Sequence, residues 1–474
     1  MNTLMIILLP LILLAGAILV ILLDAFMTNA SKKTYGLSVL VLIAACLSAL
    51  FLWKNQGSAF GGMIVLDKFS LMATFLFCIA GLITLLLLHD SPLSTPQFHS
   101  LLLLTLVGMV LLVCGAHFLV LFIGLEILSL SVYVLAAFAK RDPLSAESGI
   151  KYFLLGSFAS AFFLYGAAFI YGATGSLHLN QIAVAVSSPD FGNRTFLFLG
   201  LIFLVVGYGF KISLAPFHMW TPDVYQGAPT PVTAFMAATV KAAALASLMR
   251  VFLTAFSETS VVEFWTPLIW VLAVVTMIFG NLTALRQNNL KRLLAYSSIA
   301  HAGYMLLGLL AQPVQAQQSI LFYFAAYIFM NLGAFAVVTC MENTSGATRI
   351  DEYQGIAYTR PILATCMMLF LVSLGGLPPT AGFFAKFYLF RAVLQADHVW
   401  VVVLAVLNSA VSFYYYLRIV ISMFTPEKEG AAFTPTRFAI PLIVTLIVTV
   451  VGTIWLGLMP GFFLEIARAV SLFS

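Results

Sequence analysis

The sequence predicts an all-α polytopic membrane protein of roughly fourteen transmembrane helices. Three observations carry that prediction. Apolar residues make up 62% of the 474-residue chain and charged residues only 8%. A soluble chain averages roughly 45–50% apolar and 25% charged. With 22 basic and 17 acidic residues, a soluble protein of this length could not solvate its surface. The apolar residues also gather into runs near the roughly 20 residues that cross a bilayer as a helix. Finally, runs such as 101–112 are apolar on nearly every face, whereas a barrel strand alternates with a polar lumen side. An ordinary soluble enzyme, a nucleic-acid binder and a disordered chain are thereby excluded.

Polar punctuation marks the apolar segments in order at 3–24, 35–53, 65–88, 98–114, 116–139, 149–172, 195–219, 229–255, 263–285, 291–311, 316–341, 360–395, 399–424 and 437–461. The first lacks a basic n-region and a clear small-residue cleavage site, and reads as a retained helix. Pro216 interrupts the seventh, because proline lacks a donor and clashes with the carbonyl of Ile212. The twelfth is too long for one straight span, and Gly375-Gly376-Leu377-Pro378-Pro379 divides it. The longest hydrophilic stretch, 342–360, is too short for a folded domain, and no dinucleotide or Walker A loop is present.

Loop lysines and arginines set the orientation. With the N-terminus outside, the inner loops hold Lys32, Lys33, Lys140, Arg141, Lys151, Arg286, Lys291, Arg292, Arg349, Arg360, Arg418, Lys428 and Arg437. The outer side holds Lys54, Lys68, Arg194, Arg250, Arg391 and Arg468. The inner excess favours both termini outside. Cys46, Cys78, Cys114, Cys340 and Cys366 all sit in apolar runs with no C-x-x-C pair, and read as small buried hydrophobes. No histidine set has metal-ligand spacing, so no metal site is expected.

Four ionisable residues sit deep inside predicted spans: Glu126, Lys211, Lys241 and Lys386. Each charge at a helix centre costs roughly 2.5–3.5 kcal/mol on insertion scales. Such residues mark ion or proton pathways, and the competing reading is a structural ion pair or a snorkelling lysine. Ser129 and Tyr133 follow Glu126 at i+3 and i+7, which gives a polar stripe. Lys241 lies among small residues, Ala237, Ala238, Ala242, Ala243 and Ala244, that allow close approach of helices or water. Desolvation disfavours an ammonium and a nearby carboxylate favours it, so a lysine between the two can load and release a proton. Glu126 is the only carboxylate in the middle of a span and is the natural partner for Lys211. His301, with Ser297, Ser298 and Tyr304 on its face, is either a relay or a satisfied core histidine. His218 beside the Pro216 break is a second relay candidate, and Lys151 with Glu147 is a third candidate or a plain surface pair.

Interrupted helices in the two halves of a chain point to an inverted-repeat transporter, and the competing reading is prolines as packing kinks, since the sequence echo between the halves is weak. Irregular backbone at membrane depth survives only inside protein or beside water. The stretches GFKISLAPFHMWTPDVYQGAPTPVTAFMAATVK (209–241), NLKRLLAYSSIAHAGYMLLG (289–308) and SLGGLPPTAGFFAKFYLF (373–390) resemble the subunit N family of proton-pumping NADH:quinone oxidoreductase, respiratory complex I. TPDVYQGAP, 221–229, is the most specific piece. The resemblance implies fourteen helices, with helices 7 and 12 broken, and two inverted five-helix repeats. Its divisions fall at 1–97 for helices 1–3, 98–255 and 263–424 for the repeats, and 437–474 for the last helix. It implies a Glu126–Lys211 pair, Lys241 as the connecting lysine and Lys386 towards the other side. It further implies a bacterial inner-membrane location and sister antiporter-like subunits as partners. No cofactor is expected in this chain; NADH, FMN, iron–sulfur clusters and quinone belong to partner subunits. The competing function is a subunit of a multi-subunit cation/proton antiporter, and the 221–229 stretch argues against it.

Overall fold

The computed structural model describes residues 3–28, 30–426, 439–468 and 470. Lys428 and Arg437, counted above for orientation, lie outside the described residues, as does part of the 437–474 division. Thirteen helices among the described residues are long and apolar enough to cross a membrane. They are α1 (Leu8–Phe26), α2 (Ser31–Phe51), α3 (Lys68–Leu88), α4 (Pro96–Cys114), α5 (Phe118–Ala136), α6 (Pro143–Thr174) and α7 (Arg194–Ile212). They continue with α8 (Thr230–Ala255), α9 (Thr259–Ala284), α10 (Leu290–Leu310) and α11 (Pro313–Ser345). Two half-helices, α12 (Pro361–Gly375) and α13 (Ala381–Leu394), together supply one more crossing. The series closes with α14 (Val399–Phe424), α15 (Ile440–Leu458) and a short helix α16 (Pro460–Arg468).

Burial sorts these helices. α8 is wholly buried, and α10 and α11 are 94% buried, whereas α1 is 28% buried. The three inner helices form the centre, and α1, α2, α14 and α15 turn large apolar side chains outward. That is the arrangement expected when lipid, not water, surrounds the bundle. The helix starts follow ordinary capping chemistry. Asp67 and Ser70 form a capping box on α3, and Asp142 and Asn289 cap α6 and α10. One local feature has no apolar-run signal: a short antiparallel hairpin, β1 (Gly57–Ala59) with β2 (Ile64–Leu66), between α2 and α3.

Both breaks fall where the prolines and glycines place them. α7 stops at Ile212, Ser213 takes a left-handed conformation, and a short helix, Thr221–Gly227, follows before α8. α12 stops at Gly375, with Gly376 at φ +88° as its cap. The Ala215-Pro216 and Pro378-Pro379 peptides, one in each break, are cis. α8 carries a further irregularity, a π-helical turn over Met236–Val240 immediately before Lys241. Such turns interrupt the regular ladder and recur at functional sites. Arg250, counted above as an outer-side charge, is buried and ion-paired to Asp67 at 2.8 Å, which ties α8 to the start of α3.

Candidate functional site: a buried line of lysines

Lys211, Lys241 and Lys386 are each at most 5% exposed, so none snorkels to a surface. Lys211 ends α7, and its Nζ donates to the Tyr133 hydroxyl at 2.9 Å. The ammonium also lies over the rings of Tyr133, Tyr152 and Phe210, at 4.7, 5.1 and 5.5 Å. The sequence reading names Glu126 as the natural partner of Lys211, and the two are coupled electrostatically without touching. Among the ion pairs of the described residues, none joins these two. Tyr133 stands as the direct partner, and the half-buried Glu126 carboxylate accepts from Ser160 Oγ at 2.5 Å. Glu126 remains within electrostatic range of both Lys211 and Tyr133. Gly156 on α6 makes this possible, because a Cβ at that position would overlap the Tyr133 hydroxyl.

Lys241 donates to Ser298 Oγ on α10 at 2.6 Å and lies 5.3 Å over the Tyr225 ring. Beside Ser298, Ser297 hydrogen-bonds the Tyr416 hydroxyl. That hydroxyl is 3.3 Å from His301 Nε2, and His301 Nδ1 is 2.8 Å from the Tyr323 hydroxyl. Next to Tyr416, Tyr415 donates to Asn281 Oδ1 at 3.1 Å, and Asn281 Nδ2 donates to the Tyr304 hydroxyl at 3.1 Å. Lys386 lies 5.1 Å over the Tyr304 ring. Its ammonium donates to the carbonyls of Leu374 and Gly375, at 3.1 and 3.0 Å, and to Ser409 Oγ at 2.8 Å. The break thus frees the α12 carbonyls that Lys386 caps. Polar side chains therefore run through the interior from Lys241 to Lys386. The link from Lys211 to Lys241 is aromatic instead. Trp220 stacks on Tyr152 at 4.1 Å and meets Tyr225 edge-on at 5.9 Å.

A family model described as NADH:quinone oxidoreductase/Mrp antiporter, TM, matches residues 115–412. NADH-quinone oxidoreductase subunit N of Trichlorobacter lovleyi is 42% identical, with 94% of this chain and 93% of the relative covered. The chain belongs to the NADH-quinone oxidoreductase subunit N family. A subunit N from Chloroflexus aggregans is 40% identical over 95% of this chain and 94% of its own. A chain in the structure of respiratory complex I from Thermus thermophilus with bound aureothin superposes with a TM-score of 0.84 at 38% identity, covering 98% of this chain and all of that one. The fold alone is shared with a chain of the Mrp complex from Dietzia sp. DQ12-45-1b, at 20% identity, a TM-score of 0.88 and coverage of 99% and 97%.

In this subunit N chain the 221–229 stretch does identifiable work. Asp223 accepts from Lys151 on α6 at 2.8 Å and from Arg292 on α10 at 2.7 Å. Lys151 also pairs with Glu147 at 2.6 Å and is 40% exposed, so it sits in a surface cluster that ties α6 to α10. Burial works against ionisation of Asp223. The hydrogen bonds and charges of Lys151 and Arg292 outweigh it and hold the carboxyl below its usual range. His218 is buried against Phe279 at 4.4 Å, with Nδ1 unpartnered. Among the described residues no group of three or more His, Cys, Asp or Glu could hold a metal ion. Sequence reasoning did not single out Ser160, Tyr323, Asn281, Ser409 or Tyr416. The available signal was a polar residue on an apolar helix, as Asn281 is within IFGNLTAL.

Proposed function

We propose that this chain is a proton-translocating membrane subunit of an NADH:quinone oxidoreductase, multi-pass in a bacterial inner membrane with its N-terminus outside. The observation that carries the reading is the buried polar run from Lys241 through His301 to Lys386. Glu126, Lys211, Lys241 and Lys386 carry the protons, His301 relays them, and His218 and Lys151 are auxiliary. A first repeat (98–255) takes protons up from the inner side through Glu126 and Lys211. A second repeat (263–424) passes them out past Lys386. The divisions 1–97 and 437–474 frame the two. NADH, FMN, iron–sulfur clusters and quinone sit in partner subunits, and sister antiporter-like subunits and lipid surround the chain. Redox chemistry there alters the Glu126 environment and so the hold of Lys211 on its proton. The Tyr152–Trp220–Tyr225 stack between Lys211 and Lys241 is the step that needs water to enter. Each charge moved against 100 mV costs about 2.3 kcal/mol, within reach of a modest change in lysine proton affinity.

The alternative, a subunit of a multi-subunit cation/proton antiporter, shares the fold and the buried lysines. The composition of the detergent-purified complex separates the two. Flavin- and iron-containing partners are expected, and a stable assembly lacking both would overturn the proposal.

A further inference from the structure

Beside the Lys386 end of the proposed proton path, whose Lys386 and Ser409 line the first of them, two cavities meet at Arg391. One is a groove of about 650 Å³ between α13 and α14, lined by Phe383, Phe387, Phe390, Val406 and Phe413 and open to the α12–α13 break at Gly376. Its lining extends along α13 from Phe383 to Leu394, about 16 Å of helix rise. One leaflet's hydrocarbon is of similar depth, about 15 Å. The other is a polar cavity of about 400 Å³ formed by α11, α13 and α16, lined by Gln315, Gln318, Tyr388, Gln395, Arg391 and Arg468.

The two arginines end α13 and α16, where the helix dipole favours a cation. Neither takes part in any ion pair among the described residues. Gln315 Oε1 is buried at the same cavity with no hydrogen-bond partner. α16 is amphipathic in the manner of an interfacial helix, with Phe463 and Ala467 buried and Phe462 exposed. Two guanidiniums without an ion pair among the described residues, both lining the polar cavity and Arg391 also lining the apolar groove, fit an amphiphile. One end carries a phosphate that arginine forks recognise, and the other a hydrocarbon chain.

We propose that this joined cavity binds a membrane phospholipid, its phosphate diester held by Arg391 and Arg468 and an acyl chain lying in the α13–α14 groove. Gln315 then meets a hydroxyl or ammonium of the headgroup. A free phosphate would leave the groove unfilled. A neighbouring protein helix would have to bring its own anion to the rim.

The test uses the assembled complex in lipid nanodiscs and phosphatidylglycerol with a photoactivatable diazirine on one acyl chain. Peptides from α13 and α14 become labelled in the wild-type complex, and an equally labelled diacylglycerol, lacking the phosphate, labels them much less. In the Arg391→Gln/Arg468→Gln complex, labelling by phosphatidylglycerol falls roughly tenfold, the least that loss of charge-assisted bonds to phosphate should cost. Excess inorganic phosphate leaves the wild-type label in place. The proposal is overturned by unlabelled α13 and α14 peptides in the wild type. Equal labelling by the two lipids, labelling indifferent to the double substitution, or full displacement by inorganic phosphate would also overturn it. The wild-type arms stand alone if the double variant fails to assemble.

Discussion

Lys211 shows how a buried charge is kept by its immediate neighbours. Its ammonium has a hydroxyl acceptor and three aromatic faces, with the Glu126 carboxylate acting at longer range. Removing an acceptor from a buried charged donor costs roughly 1–3 kcal/mol. Tyr133→Phe is therefore expected to leave the complex assembled but to lower proton pumping per electron, measured in proteoliposomes. Gly156→Ala should act on the same contact from a different helix, because the added methyl group displaces the Tyr133 hydroxyl. Its proton transfer should resemble that of Tyr133→Phe more than that of an alanine placed at Gly172, where a Cβ meets nothing within 4 Å. Asn281→Leu cuts the run between Tyr415 and Tyr304, and is expected to slow pumping in an assembled complex. The four ionisable residues within the spans were legible because apolar helices offer them no camouflage. The Tyr133 contact was only half legible. The i+7 spacing put Tyr133 on the face of Glu126, but its meeting with Lys211 depends on three helices packing around one glycine.

At the scale of elements, the two breaks were readable from proline and glycine, since no other residues stop a helix so sharply inside a membrane. What fills each break was not readable. Lys386 turns back to cap the α12 carbonyls, a contact fixed by the αL turn at Gly376. Lys386→Met should therefore lower the melting temperature of the complex as well as pumping, whereas Ser409→Ala, which leaves the two carbonyl contacts intact, should change stability less. The π-turn before Lys241 left no trace in the apolar pattern, because every residue of Met236–Val240 is buried whatever the helix type. The Asp223 cluster joins α6 to α10 across the two proposed repeats. Its carboxyl is held below the usual carboxylate range, so the contacts are complete above that range and are lost as pH falls through the depressed value. The cluster is partly exposed, and solvent screening limits its worth to about 1 kcal/mol. Asp223→Asn should thus melt slightly lower than wild type near neutral pH. The two melting curves should converge only below about pH 4.

Across the whole molecule, the scarcity of charge separates the proposed proton path from the scaffold. α8, α10 and α11 form the buried centre, and Lys241, Ser298, His301 and Tyr323 all lie on them. The fold class and the order of the crossings were legible from apolar runs alone. The small hairpin between α2 and α3 was not, because its strands are three residues each and carry no alternating pattern long enough to read. The proposed halves are electrically unequal. The first has Glu126 near its lysine, whereas Lys386 in the second rests on backbone carbonyls and a serine. The proposed function reads that inequality as a direction, in which the carboxylate end responds to a partner and the carbonyl end releases. In the proposed function, protons cross the interior by way of Lys241. That crossing is tested most directly by the proton-to-electron ratio of assembled, reconstituted complex carrying Lys241→Ala. Fewer protons moved per electron than in the wild type are expected. A wild-type ratio at wild-type turnover would contradict it.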